Sequence, residues 1–286
     1  GPCLNARGRL ENALVALNMF MSESSDEANE YAMHLKELND ERKDLTAMNV
    51  KVAVELAERE YADDDILVIY LENCHESIAG IIAGRVREAL GKPTIILTDA
   101  FGEDGMIKGS GRSIESYNMF EALYEVKDIF EKFGGHHMAA GMSLKKDRLD
   151  EFRKRLNENS KLTKEDFIQK IWIDVPLPFS YISHDFVREL EKLEPYGNKN
   201  EKPKFARKGI KILSKSILGK NKNVVKMVLE DDGTRLDGIY FCDGEAFFEE
   251  LKGNNEIDII YYPDINEYGG RESLQVIITG YKIKNI

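Results

Sequence analysis

Cysteine is scarce in this 286-residue chain. Its three cysteines, Cys3, Cys74 and Cys242, lie far apart in the sequence and form no C-x-x-C pair. Three such thiols make no disulfide framework and favour a reducing compartment such as the cytoplasm. No apolar run approaches the roughly 18 residues of a transmembrane helix, and the first residues lack the basic-then-apolar order of a signal peptide. We therefore expect a cytoplasmic globular protein without a membrane partner.

Positive charge is also in deficit, since 40 Lys and Arg oppose 51 Asp and Glu and the net charge is −11. This balance argues against nucleic-acid binding, but the basic residues are concentrated between Lys199 and Lys226, where Glu201 is the only acid. Such a block is typical of a nucleic-acid contact, although a solvated lysine-rich surface remains the alternative. The predicted contacts are Lys204, Arg207, Lys208, Lys211, Lys220 and Lys222, with Phe205 and one of Tyr240 and Phe241 as stacking platforms.

What the chain does have is a regular order of elements. Apolar residues at helical spacing predict a long helix from about Ser25 to Tyr61, with its N-cap at Ser25 and Asp26, after a shorter helix at Glu11–Phe20. Strand-like and helix-like runs then alternate, which predicts an α/β domain made of a sheet with flanking helices. Its predicted strands are Asp65–Leu71, Thr94–Thr98, Met106–Ser110 and Ala140–Leu144, and its predicted helices are Ser77–Leu90, Ser116–Phe133 and Asp147–Asn157.

A different pattern begins near Phe167, where short β-branched runs are separated by the turn pairs Asp232-Gly233 and Gly269-Gly270. Five strands with one helix between the third and fourth are the plan of an all-β OB-fold barrel. The predicted elements are strands at Ile210–Ile217, Val224–Glu230, Arg235–Phe241, Ile257–Tyr262 and Ser273–Ile283, and a helix at about Gly244–Lys252.

The most unusual segment runs from Phe133 to Gly141 and reads FGGHHMAAG. Glycines lose the most backbone entropy on ordering, so paired glycines indicate a special backbone conformation or a close approach. We predict an open, amide-rich turn in which an imidazole donates to a phosphate. A helix C-cap at Gly134–Gly135 followed by a structural histidine is the alternative.

This segment resembles the Gly-Gly-His-x-x-Ala-Ala-Gly motif of the DHHA1 domain in DHH-family phosphoesterases. Asn73–Arg85 resembles the family's W-H-x-G-V-x-G-I-V-A-x-R stretch, with Cys74 in place of tryptophan, and Lys108–Ser113 resembles its G-S-x-R-S turn. Leu190–Phe205 resembles the L-x-P-F-G-x-G-N-x-x-P-x-F lead-in to an OB domain, with Tyr196 in place of phenylalanine and Lys199 in place of glycine. Together with Gly1–Leu10, these segments make the chain similar to the RecJ family of single-strand-specific exonucleases from end to end.

The resemblance implies three parts: residues 1–60 as the end of a DHH domain and a connecting helix, 61–160 as DHHA1, and 161–286 as an OB-like nucleic-acid-binding domain. It implies a 5′→3′ exodeoxyribonuclease that serves DNA recombination and repair. Such an enzyme hydrolyses phosphodiesters with two Mn²⁺ or Mg²⁺ ions. Its substrate would be single-stranded DNA with a 5′ end, and its partners a single-strand-binding protein or a helicase.

The resemblance also assigns roles to residues. His136 would be the catalytic residue, donating to the scissile or adjacent phosphate as an electrostatic stabiliser. Ser110, Arg112 and Arg9 would bind the terminal 5′-phosphate. The full set of predicted substrate-binding residues is Arg9, Ser110, Arg112, Ser113, Gly134, Gly135 and His75.

The family's Asp-His-His triplet is missing from the sequence. We therefore predict a C-terminal portion that binds no metal ion and binds single-stranded DNA without cleaving it. An oligoribonuclease or cyclic-dinucleotide phosphodiesterase of the same superfamily is one alternative, but those enzymes normally end after DHHA1. A non-catalytic single-strand-binding module is the other.

Overall fold

A computed structural model gives the fold of most of the chain. The chain divides into two units, residues 1–169 and residues 170–286. The described residues are Cys3, 14–168, 170–197 and 199–283.

Two helices open the first unit: α1 at Leu14–Met21 and α2 at Ser25–Glu60. The long helix is thus confirmed, but its N-cap is Ser24, whose hydroxyl accepts the N–H of Asp26. Its last turns bury small residues against the sheet and its neighbouring helix. None of the described helices combines the length and apolar content needed to cross a lipid bilayer.

The sheet of the first unit has five strands in the order β1-β2-β3-β5-β4. The first pair is parallel and the others are antiparallel. Helices lie on both sides of it, as the alternating sequence pattern predicts. The elements are β1 at Leu67–Tyr70, α3 at Ala79–Leu90, β2 at Thr94–Asp99, β3 at Met106–Arg112, α4 at Met119–Glu125, β4 at Phe130–His136, β5 at Ala139–Lys145 and α5 at Leu149–Glu158.

The segment predicted as one helix, Ser116–Phe133, instead contains both a helix and a strand. Helix α4 ends at Glu125, and β4 begins at Phe130. Phe130 and Phe133 pack against the core of the sheet, and β4 pairs with β5. Aromatic side chains suit a half-buried pleated surface, and here this packing overrides the helical propensity of the segment.

The second unit is a barrel, and it confirms the predicted fold class. A short strand, β6 at Val175–Pro176, and α6 at His184–Glu191 precede it. The five barrel strands surround a core that includes Phe179 and Tyr261, with one helix inserted between the third and fourth strands. They are β7 at Phe205–Leu218, β8 at Val224–Asp231, β9 at Thr234–Tyr240, α7 at Gly244–Leu251, β10 at Glu256–Tyr268 and β11 at Arg271–Ile283.

Closure of the barrel comes from pairing of β10 with both β11 and β7. Its two predicted hairpins are present. Asp232 and Gly233 both have positive φ, as a two-residue primed turn requires. Gly269 and Gly270 also have positive φ between β10 and β11. Turn chemistry therefore located these hairpins correctly.

Candidate functional site

Three neighbouring strands bring the predicted phosphate-binding residues into one row. Ala139 of β5 pairs with Arg112 of β3 on one side and with His136 of β4 on the other. Two residues further along β5, Gly141 pairs with Ser110 of β3 and with Gly134 of β4. Residues directly opposite in antiparallel strands share a face of the sheet. Arg112 and His136 are therefore two strand spacings apart, about 10 Å, on one face.

This finding corrects two predictions about local structure. Ser110 and Arg112 lie within β3, which is paired on both sides, and not in a turn. Gly134, Gly135 and His136 lie within β4, and neither the open turn nor the helix C-cap is present. A hydrogen-bonded ladder, and not a set of converging loops, places Ser110 and Arg112 in line with Gly134 and His136.

The opposite face of these strands is the core. Ala140, Met142 and Leu144 of β5 are buried there, while Ala139, Gly141 and Ser143 point the other way. Gly141 is exposed. The open face thus has a floor of small residues between Arg112 and His136, and these residues leave room for a flat or extended ligand.

Gly135 is needed where two backbones approach closely. A Cβ at this position would lie 2.3 Å from the carbonyl oxygen of Ala139, which no side chain can tolerate. At Gly134 a Cβ would meet nothing within 4 Å. The two predicted glycines therefore differ: Gly135 is required for the fold, whereas Gly134 keeps the floor open.

Arg112 is held against helix α3. Its Nη1 donates to the carbonyl oxygen of Gly111 at 2.8 Å. A Cβ at Gly80 would lie 2.7 Å from Nη2 of Arg112 and 3.3 Å from Oγ of Ser110. The absence of a side chain at Gly80 of α3 thus makes room for the guanidinium beside Ser110.

His136 is exposed at the end of β4. Its Nδ1 lies 3.3 Å from the backbone nitrogen of Met138, whose N–H donates to it. In the neutral imidazole the proton then resides on Nε2. The side chain can therefore donate from Nε2 to an acceptor above the open face.

The other predicted residues have different outcomes. Ser113 is fully buried and its hydroxyl donates to the carbonyl oxygen of Tyr117 at 2.5 Å, so its assignment to substrate binding is wrong. His75 is exposed and caps the short 3₁₀ helix Glu76–Ile78, with Nδ1 2.6 Å from Oγ of Ser77. Arg9 lies outside the described residues.

Next to this row lies a shallow cleft of about 380 Å³. Lys108, Ser143 and Lys132 pair in register across the same three strands and line it. The ammonium of Lys108 lies 2.9 Å from a carboxylate oxygen of Glu103 and 3.7 Å from one of Glu76. The sequence analysis did not identify Lys132 and Ser143 as site residues. Lys132 is two residues from Gly134 and Ser143 is two residues from Gly141, so strand alternation would have placed both on the open face of the sheet.

The Cys74 thiol, at the position of the family's tryptophan, is buried beside this region. Burial raises the pKa of Cys74 to about 11. The thiol therefore stays protonated at neutral pH and is no nucleophile. Its position contributes packing in place of an aromatic surface.

In the barrel, three of the six basic residues predicted to contact nucleic acid have carboxylate partners. Arg207 binds Asp231, whose side chain is almost fully buried, at 2.8 Å and also binds Asp232. Lys204 pairs with Glu201 at 2.7 Å, and Lys222 pairs with Glu245. Lys208, Lys211 and Lys220 are exposed, and none forms a salt bridge with a described residue.

The predicted aromatic platform at Phe205 is wrong. Phe205 is 5% exposed and packs against Phe186 and Tyr261 in the barrel core. Tyr240 packs against Phe247, while Phe241 is 65% exposed. As predicted, then, only one of these last two rings is open to a ligand.

Neither the open face of the sheet nor the barrel surface groups metal ligands among the described residues. Within the part of the chain that the structure describes, no three His, Cys, Asp or Glu side chains are grouped so that they could hold a metal ion. The described residues therefore do not offer the ligand set of a resident metal ion.

Comparison with known families gives a description to each unit. The DHHA1 domain family matches residues 63–161. The RecJ OB domain family matches residues 173–280. The two matches lie in the sheet unit and the barrel unit respectively.

Individual relatives agree with these matches. The single-stranded-DNA-specific exonuclease RecJ of Bacillus subtilis (strain 168) is 35% identical over 279 residues, which cover 97% of this chain and 35% of that protein. The RecJ of Salmonella typhimurium (strain LT2) is 32% identical over 288 residues, covering 97% and 49%. The chain thus spans half or less of the length of these relatives.

Among solved structures, RecJ of Thermus thermophilus in complex with Mg²⁺ matches with a TM-score of 0.82. The match covers 100% of this chain and 43% of that one at 23% sequence identity. This likeness shows that the fold is shared.

Proposed function

Because the chain is a RecJ-related region that carries a DHHA1 domain followed by a RecJ OB domain, we propose that it is the substrate-holding part of a single-stranded-DNA exonuclease. In the intact enzyme it would hold the 5′ end of the strand for 5′→3′ hydrolysis in DNA recombination and repair. Mn²⁺ or Mg²⁺, bound in a DHH domain of that enzyme, would supply the hydrolytic chemistry. The chain by itself binds the strand without releasing nucleotides.

One observation carries this proposal: Arg112 and His136 flank Ala139 in a single row over a floor of small residues. Guanidinium–phosphate contacts are charge-assisted and directional. Arg112, with the Ser110 hydroxyl beside it, contacts the terminal 5′-phosphate. His136 donates from Nε2 to the next phosphate along the strand and stabilises negative charge there.

The experiment measures binding of 5′-phosphorylated and 5′-hydroxyl oligothymidylate by fluorescence anisotropy. We expect the wild-type chain to prefer the phosphorylated end. Arg112→Ala should lower affinity for that end about 10- to 100-fold, the effect of losing a charged hydrogen bond, and should equalise the two oligonucleotides. Arg59→Ala, an exposed arginine on α2, is the matched control and should keep the preference.

His136→Ala separates the two roles. It should weaken binding of both oligonucleotides by a similar factor, because its phosphate is internal and present in each. If Arg112→Ala left the ratio of the two affinities unchanged, the end-reading role would be wrong. Nucleotide release by the purified chain with Mn²⁺ would contradict the placement of hydrolysis elsewhere.

The runner-up, a phosphodiesterase for dinucleotides, has less support because residues 173–280 match a RecJ OB domain. Affinity for long single strands well above that for dinucleotides is the expected result. Equal affinities would favour the runner-up.

A further inference from the structure

The only tryptophan of the chain, Trp172, is almost fully exposed at the beginning of the barrel unit. It lies in a segment without regular secondary structure just before β6. Two hydrogen bonds fix this segment beside the chain that enters β7. The N–H of Asp174 donates to the carbonyl oxygen of Lys204, and the N–H of Lys204 donates to Oδ2 of Asp174, both at 2.9 Å.

A lysine and two tyrosines lie at the same corner of the barrel. The ammonium of Lys202 is 4.0 Å from the ring centroid of Tyr262 and 5.6 Å from that of Tyr196. Tyr196 is held in turn, because its hydroxyl donates to the carbonyl oxygen of Leu190 at 2.5 Å. Cation–π attraction therefore holds the ammonium in place without a carboxylate, and no described residue forms a salt bridge with Lys202.

Trp172 and Lys202 lie on two segments that run side by side in the same direction, because Val175 and Pro176 of β6 pair in parallel with Phe205 and Ala206 of β7. Two residues of a fully extended chain span at most about 7 Å, so the Cα atom of Trp172 lies within that distance of the Cα atom of Asp174. Asp174 is hydrogen-bonded to Lys204. Lys202 precedes Lys204 by the same two residues. The backbones of Trp172 and Lys202 thus each lie within about 7 Å of the hydrogen-bonded pair Asp174 and Lys204, at the same corner of the barrel.

The outer face of β8 and β9, whose residues the structure describes throughout, offers no such combination. Its cations are paired, Lys226 with Asp237 at 2.8 Å and Arg235 with Glu230 at 3.0 Å. A single strand needs cations for its phosphates and aromatic faces for its bases. The corner at Trp172 supplies both in available form.

We propose that Trp172 and Lys202 form a second single-strand contact, in which a base stacks on the Trp172 indole and a neighbouring phosphate binds the Lys202 ammonium. This proposal rests on the proposed single-stranded substrate and adds a site that does not read the 5′ end. Stacking on an aromatic ring tolerates any base, so the contact is independent of sequence.

The experiment uses the fluorescence of Trp172, which is unambiguous because the chain has no other tryptophan. The free protein should show the emission of a solvated indole. Oligothymidylate should quench it saturably, over the same concentrations at which anisotropy reports binding. Trp172→Ala should weaken binding about tenfold, whereas Trp172→Phe, which keeps an aromatic face, should retain most of the affinity.

Tyr268→Ala is the matched control, because Tyr268 is 84% exposed on the hairpin between β10 and β11, against 83% for Trp172. It should leave affinity unchanged. Lys202→Ala should weaken binding and reduce its salt dependence. Neither exposed side chain, Trp172 nor Tyr268, is part of the core, so both variants should fold normally.

Three outcomes would overturn the proposal. In the first, the protein binds DNA and still prefers a 5′-phosphate, but the Trp172 emission does not change. This result would exclude the Trp172 contact and leave the 5′-end site intact. Blue-shifted, concentration-dependent emission of the free protein would show that a second copy covers the ring. Failure to bind any single strand would remove both sites together.

Discussion

The sheet unit and the barrel unit use their cations in different ways. The sheet unit orients Arg112 and His136 over a small-residue floor. The barrel unit contains the basic block, yet Arg207 and Lys222 are tied to carboxylates and Phe205 is in the core. Charge density along a sequence is therefore a poor guide to a binding surface. The partners that each charge meets in the fold decide its role.

The largest expected effect tests the structural side of this contrast in the sheet unit. Gly135→Ala places a Cβ 2.3 Å from the carbonyl oxygen of Ala139, and overpacking of this kind costs about 2–3 kcal/mol. Urea denaturation followed by circular dichroism should show this loss. Gly134→Ala, with nothing within 4 Å, should stay within about 0.5 kcal/mol of wild type. Equal effects of the two variants would contradict the strand pairing at β4.

A second effect tests the barrel unit. Arg207→Ala leaves the buried carboxylate of Asp231 without its cation, although the N–H of Phe179 still donates to it at 2.8 Å. We expect a loss of about 2 kcal/mol in the free energy of unfolding. The exposed neighbour Lys208 is the control, and Lys208→Ala should change stability by less than about 0.5 kcal/mol. If instead Arg207→Ala mainly weakened DNA binding at constant stability, the basic block would be a binding surface after all.

A third effect separates stability from binding within the sheet unit. Gly80→Ala should displace the Arg112 guanidinium, since its Cβ would lie 2.7 Å from Nη2. We expect roughly a tenfold loss of preference for a 5′-phosphate, with unchanged or slightly higher stability because alanine favours a helix by about 1 kcal/mol. Gly84→Ala, whose Cβ would be 4.0 Å from Arg112, should keep the preference. Loss in both variants would point to a general distortion of α3.

The smallest effect concerns the exposed lysines. Lys220→Ala should weaken single-strand binding less than about threefold at low salt and lower the salt slope by at most about one. Titrations at several salt concentrations measure both quantities. A larger change than that caused by Lys202→Ala would move the barrel's contact from the Trp172 corner to the β7–β8 hairpin.

These contrasts also explain what the sequence could predict. The barrel strands were located because β-branched runs and turn pairs such as Asp232-Gly233 are local signals. The role of Arg207 was not predictable, because its partners Asp231 and Asp232 are 24 and 25 residues away. A basic segment of sequence therefore does not reveal which distant carboxylates will pair with its side chains in the folded protein.

The same reasoning applies to the site in the sheet. The motif residues Ser110, Arg112 and His136 were identified by type, but their arrangement was predicted as a turn. Strand β4 could not be recognised, because its Gly134-Gly135 pair resembles a loop and its neighbours resemble a helix. Its pairing with β5 decides its conformation, and that pairing is a tertiary interaction.

The double pairing of Ala139 has a consequence for how such a site can vary. Since the separation of Arg112 and His136 equals two strand spacings, it is fixed by backbone hydrogen bonds and not by the lengths of the connecting segments. Residues can be gained or lost between β2 and β3, or between α4 and β4, without altering that separation. A one-residue slip of β5 would turn its side chains to the opposite face. Loop length is thus free to diverge, whereas strand register is not.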